Sequence, residues 1–387
     1  MGRPLRGEQY GADEVAVVHC VQRCVRRAFL AGKDQVTGRD YGFRREWIRR
    51  RMEALASVFG CDVLTYAIMS NHMHLILRTR PDVVAQWSDE EVALRWLKVF
   101  PGRRLDEHLG EPTTNDVATL VADQQRLAEV RERLSDISWF MRALSEPIAR
   151  MANRQDEVTG RFWEGRFKAQ RITDEAGLLA CAMYVDLNPV RAALAASPDE
   201  AEHTSAFDRI AGEKGVELEA AAFDLKAMPT EQAGEELRTS TVEEVQARKA
   251  ARRRNPTGRR IRRDAWLSPL TLSRTSTSDR PQASRSGVRA SDKGFLGLSW
   301  DDYKRLLRWT ARQREPVEGK QVPASLRGVM SRLGIDLSMW REMVWNWKRY
   351  FGRSRCAGSP ESMANHAREH SHQWCRGQAA VRECFVG

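Results

Sequence analysis

The sequence predicts an α+β protein: a ferredoxin-like (RRM-like) layer over residues 13–197, a charged, partly disordered linker over 198–295, and a small all-α C-terminal domain over 296–387. Three observations carry this prediction. Apolar residues alternate with period two near Val15–Val21 and His72–Thr79, as in strands, while Phe43, Trp47, Ile48, Met52, Leu55 and Phe59 recur between them at helical spacing. The middle of the chain is first acidic (Glu217, Glu219, Glu231, Glu235, Glu236, Glu243, Glu244), then basic, with nine Lys or Arg in the sixteen residues Arg248–Arg263. Such a composition buries little surface. Helical periodicity returns after residue 296, with six of the twelve tryptophans.

In chain order, the alternation at Val15, Val17, His19 and Val21 reads as a first strand, and Phe43 to Phe59 as a helix ended by Gly60. Val63 to Met69 is a short apolar run, Ser70-Asn71 a turn, and His72 to Thr79 a further strand. A helical insertion over 80–136 opens at Ser88 with a capping box to Glu91. Ile137, Phe140, Met141, Leu144, Ile148 and Met151 line one helical face, in which Pro147 is expected to kink or divide the helix. Lys168–Ile172 reads as a last strand. Thr173, Asp174 and Glu175 start a helix running to about Leu187 and ended by Pro189.

The 387 residues carry 63 Lys and Arg against 52 Asp and Glu, a net charge of +11 that points toward nucleic acid. Hydrophobic residues make up 42%, enough for a packed core and too many for a wholly disordered chain. No apolar run of 18 residues occurs, so no transmembrane helix is expected, and Met1–Tyr10 does not read as a secretory signal. Seven widely spaced cysteines without a Cys-x-x-Cys pair argue against a disulfide framework and for a reducing compartment.

Two patterns carry chemistry. In His72-Met73-His74 the imidazoles fall on one strand face, making half a metal site or simply a polar sheet face. In Tyr184-Val185-Asp186-Leu187-Asn188, residues i and i+4 share a helix face. A phenol beside an oxygen donor would set a nucleophile next to a metal ligand. The alternative is a half-buried tyrosine with asparagine as the helix stop. Asp186 points to another face and is left out.

With their flanks these patterns resemble a known family. Tyr66-Ala67-Ile68-Met69-Ser70-Asn71-His72-Met73-His74-Leu75 resembles the strand-turn-strand of single-tyrosine HUH transposases. Gly160-Arg161-Phe162-Trp163-Glu164-Gly165-Arg166-Phe167-Lys168 and Tyr184-Val185-Asp186-Leu187-Asn188-Pro189-Val190-Arg191-Ala192 are similar to the branch associated with repetitive extragenic palindromes (REP). The likeness spans about 13–197. It implies an HUH catalytic domain that cuts and rejoins single-stranded DNA beside a hairpin in DNA transposition and recombination. His72, His74 and Asn188 would hold a divalent metal, Mg²⁺ or Mn²⁺, and Tyr184 would attack to give a 5′-phosphotyrosine. No organic cofactor and no membrane are expected. The resemblance implies a cytoplasmic, nucleoid-associated bacterial protein and leaves monomer and homodimer open. Arg161, Trp163, Arg166 and Lys168 are candidates for single-strand binding, charge following phosphates and the ring stacking on bases. Their alternative is a loop tryptophan pinning two helices among solvated arginines. A domesticated regulator that binds hairpins without cutting is the second functional expectation, and an RNA-binding sheet the third.

The insertion over 80–136 and the extension over 198–387 depart from a compact single-domain member of that family. In the extension, Ser299, Asp301 and Asp302 begin one helix, and Trp340, Met343, Val344 and Trp347 line another. Cys356, His366, His370, His372, Cys375 and Cys384 match no standard zinc finger, and His366/His370 at i, i+4 could equally be a helix surface. The Arg248–Arg263 run is either a phosphate-neutralising segment or a solvated linker.

Overall fold

A computed structural model describes residues 10–25, 30–33, 38–102, 111–220, 259–272, 281–312, 324–352, 354–370 and 375–386. Its centre is β1 (Val17–Arg23), α1 (Arg44–Ala56), β2 (Cys61–Ile68), β3 (His72–Thr79), α6 (Ile137–Gln155) and β4 (Lys168–Ile172). Between β3 and α6 stand α2 (Pro81–Val84), α3 (Asp89–Val99), α4 (Thr114–Ala122) and α5 (Gln124–Ser135), the expected helical insertion. Ser88 caps α3 by accepting the Glu91 N–H. Strand neighbours run β2-β3-β1-β4, antiparallel throughout, so β-α-β-β-α-β forms the split βαβ arrangement. The α+β expectation holds. Among the described residues no helix is long and apolar enough to cross a membrane.

Both sheet faces are covered. Met73, Leu75 and Leu77 of β3 join Val18 and Cys20 of β1 in a core under α1 and α6. Ile76 of β3 and Leu64 of β2 face a second core built on α7 (Glu175–Asp186). Asp174 caps α7 by accepting the Gly177 N–H at 2.7 Å. Pro147 sits inside α6, which runs on through it undivided. Pro189 stands just beyond the end of α7, as expected, with Leu187 as the C-cap. It occupies the first turn of a second short helix, α8 (Asn188–Arg191), where its missing N–H costs nothing. Tyr184 and Asn188 therefore belong to successive helices rather than one.

Within the span expected to be a linker, 198–295, the described parts are ordered elements. Residues 198–220, 259–272 and 281–295 pack as structure, including α9 (Ser205–Glu213) and the pair β5 (Glu217–Glu219) and β6 (Arg260–Arg262). What anchors them is buried charge, which composition reads as solvated surface. Asp208 is fully buried and accepts from Tyr66 Oη (2.8 Å), Arg49 Nε (3.0 Å) and Arg263 Nε (2.5 Å). Asp62 of β2 accepts from Arg78 Nη2 (2.6 Å), Arg80 Nη1 (3.3 Å) and the Ser291 N–H (3.0 Å), and Arg78 also donates to the carbonyls of Lys293 and Gly294. The basic stretch 248–258 and the acidic stretch 221–247 lie outside the described residues.

Nor is the C-terminal part separate from the sheet. It comprises α10 (Trp300–Arg312), α11 (Ala324–Arg332), α12 (Leu337–Trp345), α13 (Trp347–Tyr350), β7 (Cys356–Ala357), α14 (Pro360–Glu369) and α15 (Gln378–Val381). β7 pairs parallel with β4, extending the sheet to five strands, so β4 is not the last strand. Asp174 accepts from the Ser359 N–H (2.7 Å) and Ser362 Oγ (2.6 Å). A Cβ on Gly177 would meet Gly358 Cα at 2.6 Å, so only glycine allows this close docking.

Removing Asp62 leaves the Arg78 guanidinium buried without its counter-charge, while Arg80 keeps Asp82. Asp62→Ala is expected to cost about 3–5 kcal/mol in denaturant unfolding. A loss under about 1 kcal/mol would show that the contact does not hold the 281–295 segment.

Candidate active site

β3 and β1 present His72, His74 and His19 toward α7. Period-two alternation puts His72 and His74 on one face, and the β1–β3 register sets His19 opposite Ile76, one step along from His74. α7 brings Tyr184 down onto them. The His74 ring centroid lies 4.9 Å from His72, 5.2 Å from His19 and 5.4 Å from Tyr184. Asn188 donates Nδ2–H to the Tyr184 carbonyl at 3.2 Å. The fold thus brings His72, His74 and Tyr184 together, with Asn188 one turn beyond Tyr184.

Their protonation follows from the hydrogen bonds. Gln170 of β4 donates its amide N–H groups to the carbonyls of Phe351 (2.6 Å) and Ser354 (3.0 Å), so its oxygen is left to accept from His19. His19 then carries its proton toward Gln170, and its Nε2 accepts from His74 Nδ1 at 2.9 Å. The relay leaves the lone pair of His74 on Nε2, which is buried and has no hydrogen-bond partner among the described residues. A ligating histidine is set in this way by what its other nitrogen donates to. Burial lowers His72 and His19 to about 4, and in His72 the cations Arg23, Lys348 and Arg191 push the same way. His74 is lowered well below the usual range by burial, then by His19, His72, Lys348 and Arg191.

Two imidazoles and an amide oxygen fit a divalent ion with positions left open, and the unpartnered Nε2 of His74 is the observation that supports it. Among the described residues, no third His, Cys, Asp or Glu donor closes on His72 and His74, so Asn188 is the protein's own candidate for the third ligand.

Three features were not legible as site residues: His19, Arg191 and the C-terminal pair Trp347 and Lys348. The Arg191 guanidinium lies over the Tyr184 ring at 4.9 Å, and its buried Nη1 has no hydrogen-bond partner among the described residues. Trp347 stacks on the same ring at 5.5 Å with planes 19° apart, and Tyr184 is only 2% exposed. Burial raises the Tyr184 pKa, and Arg191 and Asn188 oppose this. Lys348 is held below its ordinary value by burial and by Arg191, Arg23 and Lys168, which shows four cations sharing one neighbourhood.

Of the single-strand candidates, Lys168 opens β4 beside this cluster, and Arg161 and Arg166 are exposed. Trp163 is half-buried on Phe162 and donates its indole N–H to the Ser145 carbonyl at 2.8 Å. Its ring is packed as a pin between the loop and α6. Asp186 accepts from Ser205 Oγ (2.5 Å) and Tyr303 Oη (2.7 Å) and faces away from the histidines.

No known family model matches the chain, and no curated protein matches it. Among solved structures, a REP-associated tyrosine transposase bound to a REP hairpin aligns at a TM-score of 0.31 and 11% identity, over 52% of this chain and 82% of that one.

A histidine held neutral in the fold but free to protonate when unfolded contributes its full stability above about pH 6.5 and loses it as pH falls toward 4. For His19 alone the loss is on the order of 3 kcal/mol. The urea midpoint of the metal-free protein is expected to drop across this window, and His19→Gln to flatten the drop. A midpoint unchanged from pH 7 to 4.5 contradicts the neutral cluster.

Proposed function

We propose that the chain is a metal-dependent single-stranded DNA endonuclease and strand transferase of the HUH type, acting at hairpin (palindromic) DNA in transposition. Residues 13–197 form its ferredoxin-like catalytic unit, Tyr184 is the nucleophile, and His72, His74 and Asn188 are the ligands of Mn²⁺ or Mg²⁺. One observation carries this reading: the Tyr184 ring meets His74 at 5.4 Å, with the Arg191 guanidinium over it and Lys348, Arg23 and Lys168 nearby. The motif resemblance over 13–197 points the same way.

A phosphodiester repels anionic nucleophiles, and the bound ion would polarise its non-bridging oxygen. The chain's own residues do the rest. Arg191, Arg23, Lys168 and Lys348 seat the phosphate. Tyr184 loses its proton and its oxygen bonds phosphorus as the bond to the 3′ oxygen breaks. That oxygen takes up a proton and leaves as a 3′-hydroxyl. The tyrosyl phosphoester keeps the energy of the broken bond, so a second 3′-hydroxyl can reverse the step on another strand. His19 acts through His74 as a positioning residue.

The stack of Trp347 on Tyr184 favours a second reading, a hairpin-binding regulator that does not cut. A labelled hairpin with single-stranded flanks, incubated with Mn²⁺ and run on a denaturing gel, separates the two. Wild type is expected to give a protein-linked DNA band and Tyr184→Phe none, while His19→Ala weakens metal dependence about 10–100-fold. Hairpin binding without any adduct would favour the regulator.

Trp347→Ala uncovers the phenol. Because burial is the largest cause of the raised Tyr184 pKa, the pH profile of adduct formation is expected to move to lower pH, with a faster rate at pH 7. An unshifted profile would mean that the tryptophan does not cover the reacting state.

A further inference from the structure

The last turn of α14 carries three metal-binding side chains that strand transfer does not use. His366, Glu369 and His370 stand at i, i+3 and i+4 and so project from one face. One donor atom from each lies within 4.8 Å of the others, and the two imidazole centroids are 4.2 Å apart. Donors around a tetrahedral ion with bonds of about 2.0–2.2 Å stand about 3.3–3.5 Å from one another, a closure that small side-chain rotations supply.

The tautomer of one ligand is already set. His370 Nδ1 lies 3.0 Å from the His366 carbonyl oxygen. A carbonyl only accepts, so the proton sits on Nδ1 and the lone pair on Nε2. This is the second-shell bond that ligating histidines use. The place suits a cation as well. His370 is the C-cap residue, where the helix presents its negative end, and Glu369 adds a formal charge. The nearest basic neighbour in sequence, Arg368, is engaged with the Asn365 side chain.

We propose that His366, Glu369 and His370 form a second divalent-metal site, one that takes a zinc-class ion and keeps at least one position open to water or an outside donor. Two imidazoles and one carboxylate prefer zinc, cobalt or nickel to magnesium or calcium. An ion held across i and i+4 also fixes the last helical turn, so binding adds stability to the segment that follows β7. The site is independent of the strand-transfer reading, because none of its residues belongs to the His72/His74 cluster.

The test uses the full chain, stripped with chelator and dialysed to equilibrium against micromolar Zn²⁺, with bound metal counted per chain. Wild type is expected to hold one zinc more than His370→Ala, and His72→Ala to keep that zinc. Glu369→Gln is expected to weaken it about tenfold. With Co²⁺ as probe, a visible absorption band appears in wild type and His72→Ala and is missing in His370→Ala. Circular dichroism confirms that each variant is folded, and His370→Gln replaces His370→Ala if it is not. Equal zinc in wild type and His370→Ala overturns the proposal, as does zinc that is lost with His72→Ala and kept with His370→Ala.

Discussion

The site depends on β3 being buried on both faces. A strand sends alternate side chains to opposite sides, so the packing that draws Met73, Leu75 and Leu77 under α1 and α6 turns His72, His74 and Ile76 toward α7. A register slip of one residue would put imidazoles into the apolar core and methionine against Tyr184. The geometry of the histidine cluster is thus held by hydrophobic burial on the opposite face. Neighbouring pairings with β2 and β1 fix β3 along its length.

Electrostatics then decide what the cluster can hold. The imidazoles are neutral, and the charged groups acting on them are cations: Arg23, Arg191 and Lys348. A divalent ion entering such a neighbourhood alone meets repulsion, whereas a phosphate meets attraction. Ion and phosphate together offset each other, so the site is built for the pair more than for either component. Asn188, the third ligand of the proposed reading, would add no charge of its own. On the proposed reading a DNA phosphate would be the anion that completes the arrangement, so the ion would load where DNA is present.

Most of the central layer was legible because its signals are local. Period two marked β1 and β3, helical spacing marked α1 and α6, and Asp174 marked the start of α7. The pairings His72/His74 and Tyr184/Asn188 are likewise short-range. The misread parts share a different cause. Asp208, Arg209 and Arg263 look like surface in composition, yet they bury by pairing with one another, with Arg49, and with the carbonyls of Leu64 and Ser268. Trp347 sits in a stripe that any packed helix would show, and nothing local says that its partner is Tyr184. His19 carries no motif, and its role exists only through the β1–β3 register.

The C-terminal segment has two effects on the site that constrain how it can open. Trp347 covers Tyr184, which on the proposed reading would have to be uncovered before it could reach phosphorus. Four residues further on, Phe351 and then Ser354 hold Gln170 by their carbonyls, and Gln170 orients His19, which orients His74. Undocking the whole segment would free the nucleophile but release the tautomer that leaves Nε2 of His74 available. It would also break β7 from β4 and the Asp174 contacts to Ser359 and Ser362. Rotation of the Trp347 side chain alone frees the phenol and keeps the relay intact. On the same reading, a base of an entering strand would be a flat ring able to take the place of the indole on Tyr184 or stack on the displaced tryptophan. The same C-terminal segment therefore both covers the Tyr184 phenol and holds the Gln170 side chain beside the His19–His74 pair, so that on the proposed reading Trp347 would act as a side-chain gate on a fixed frame.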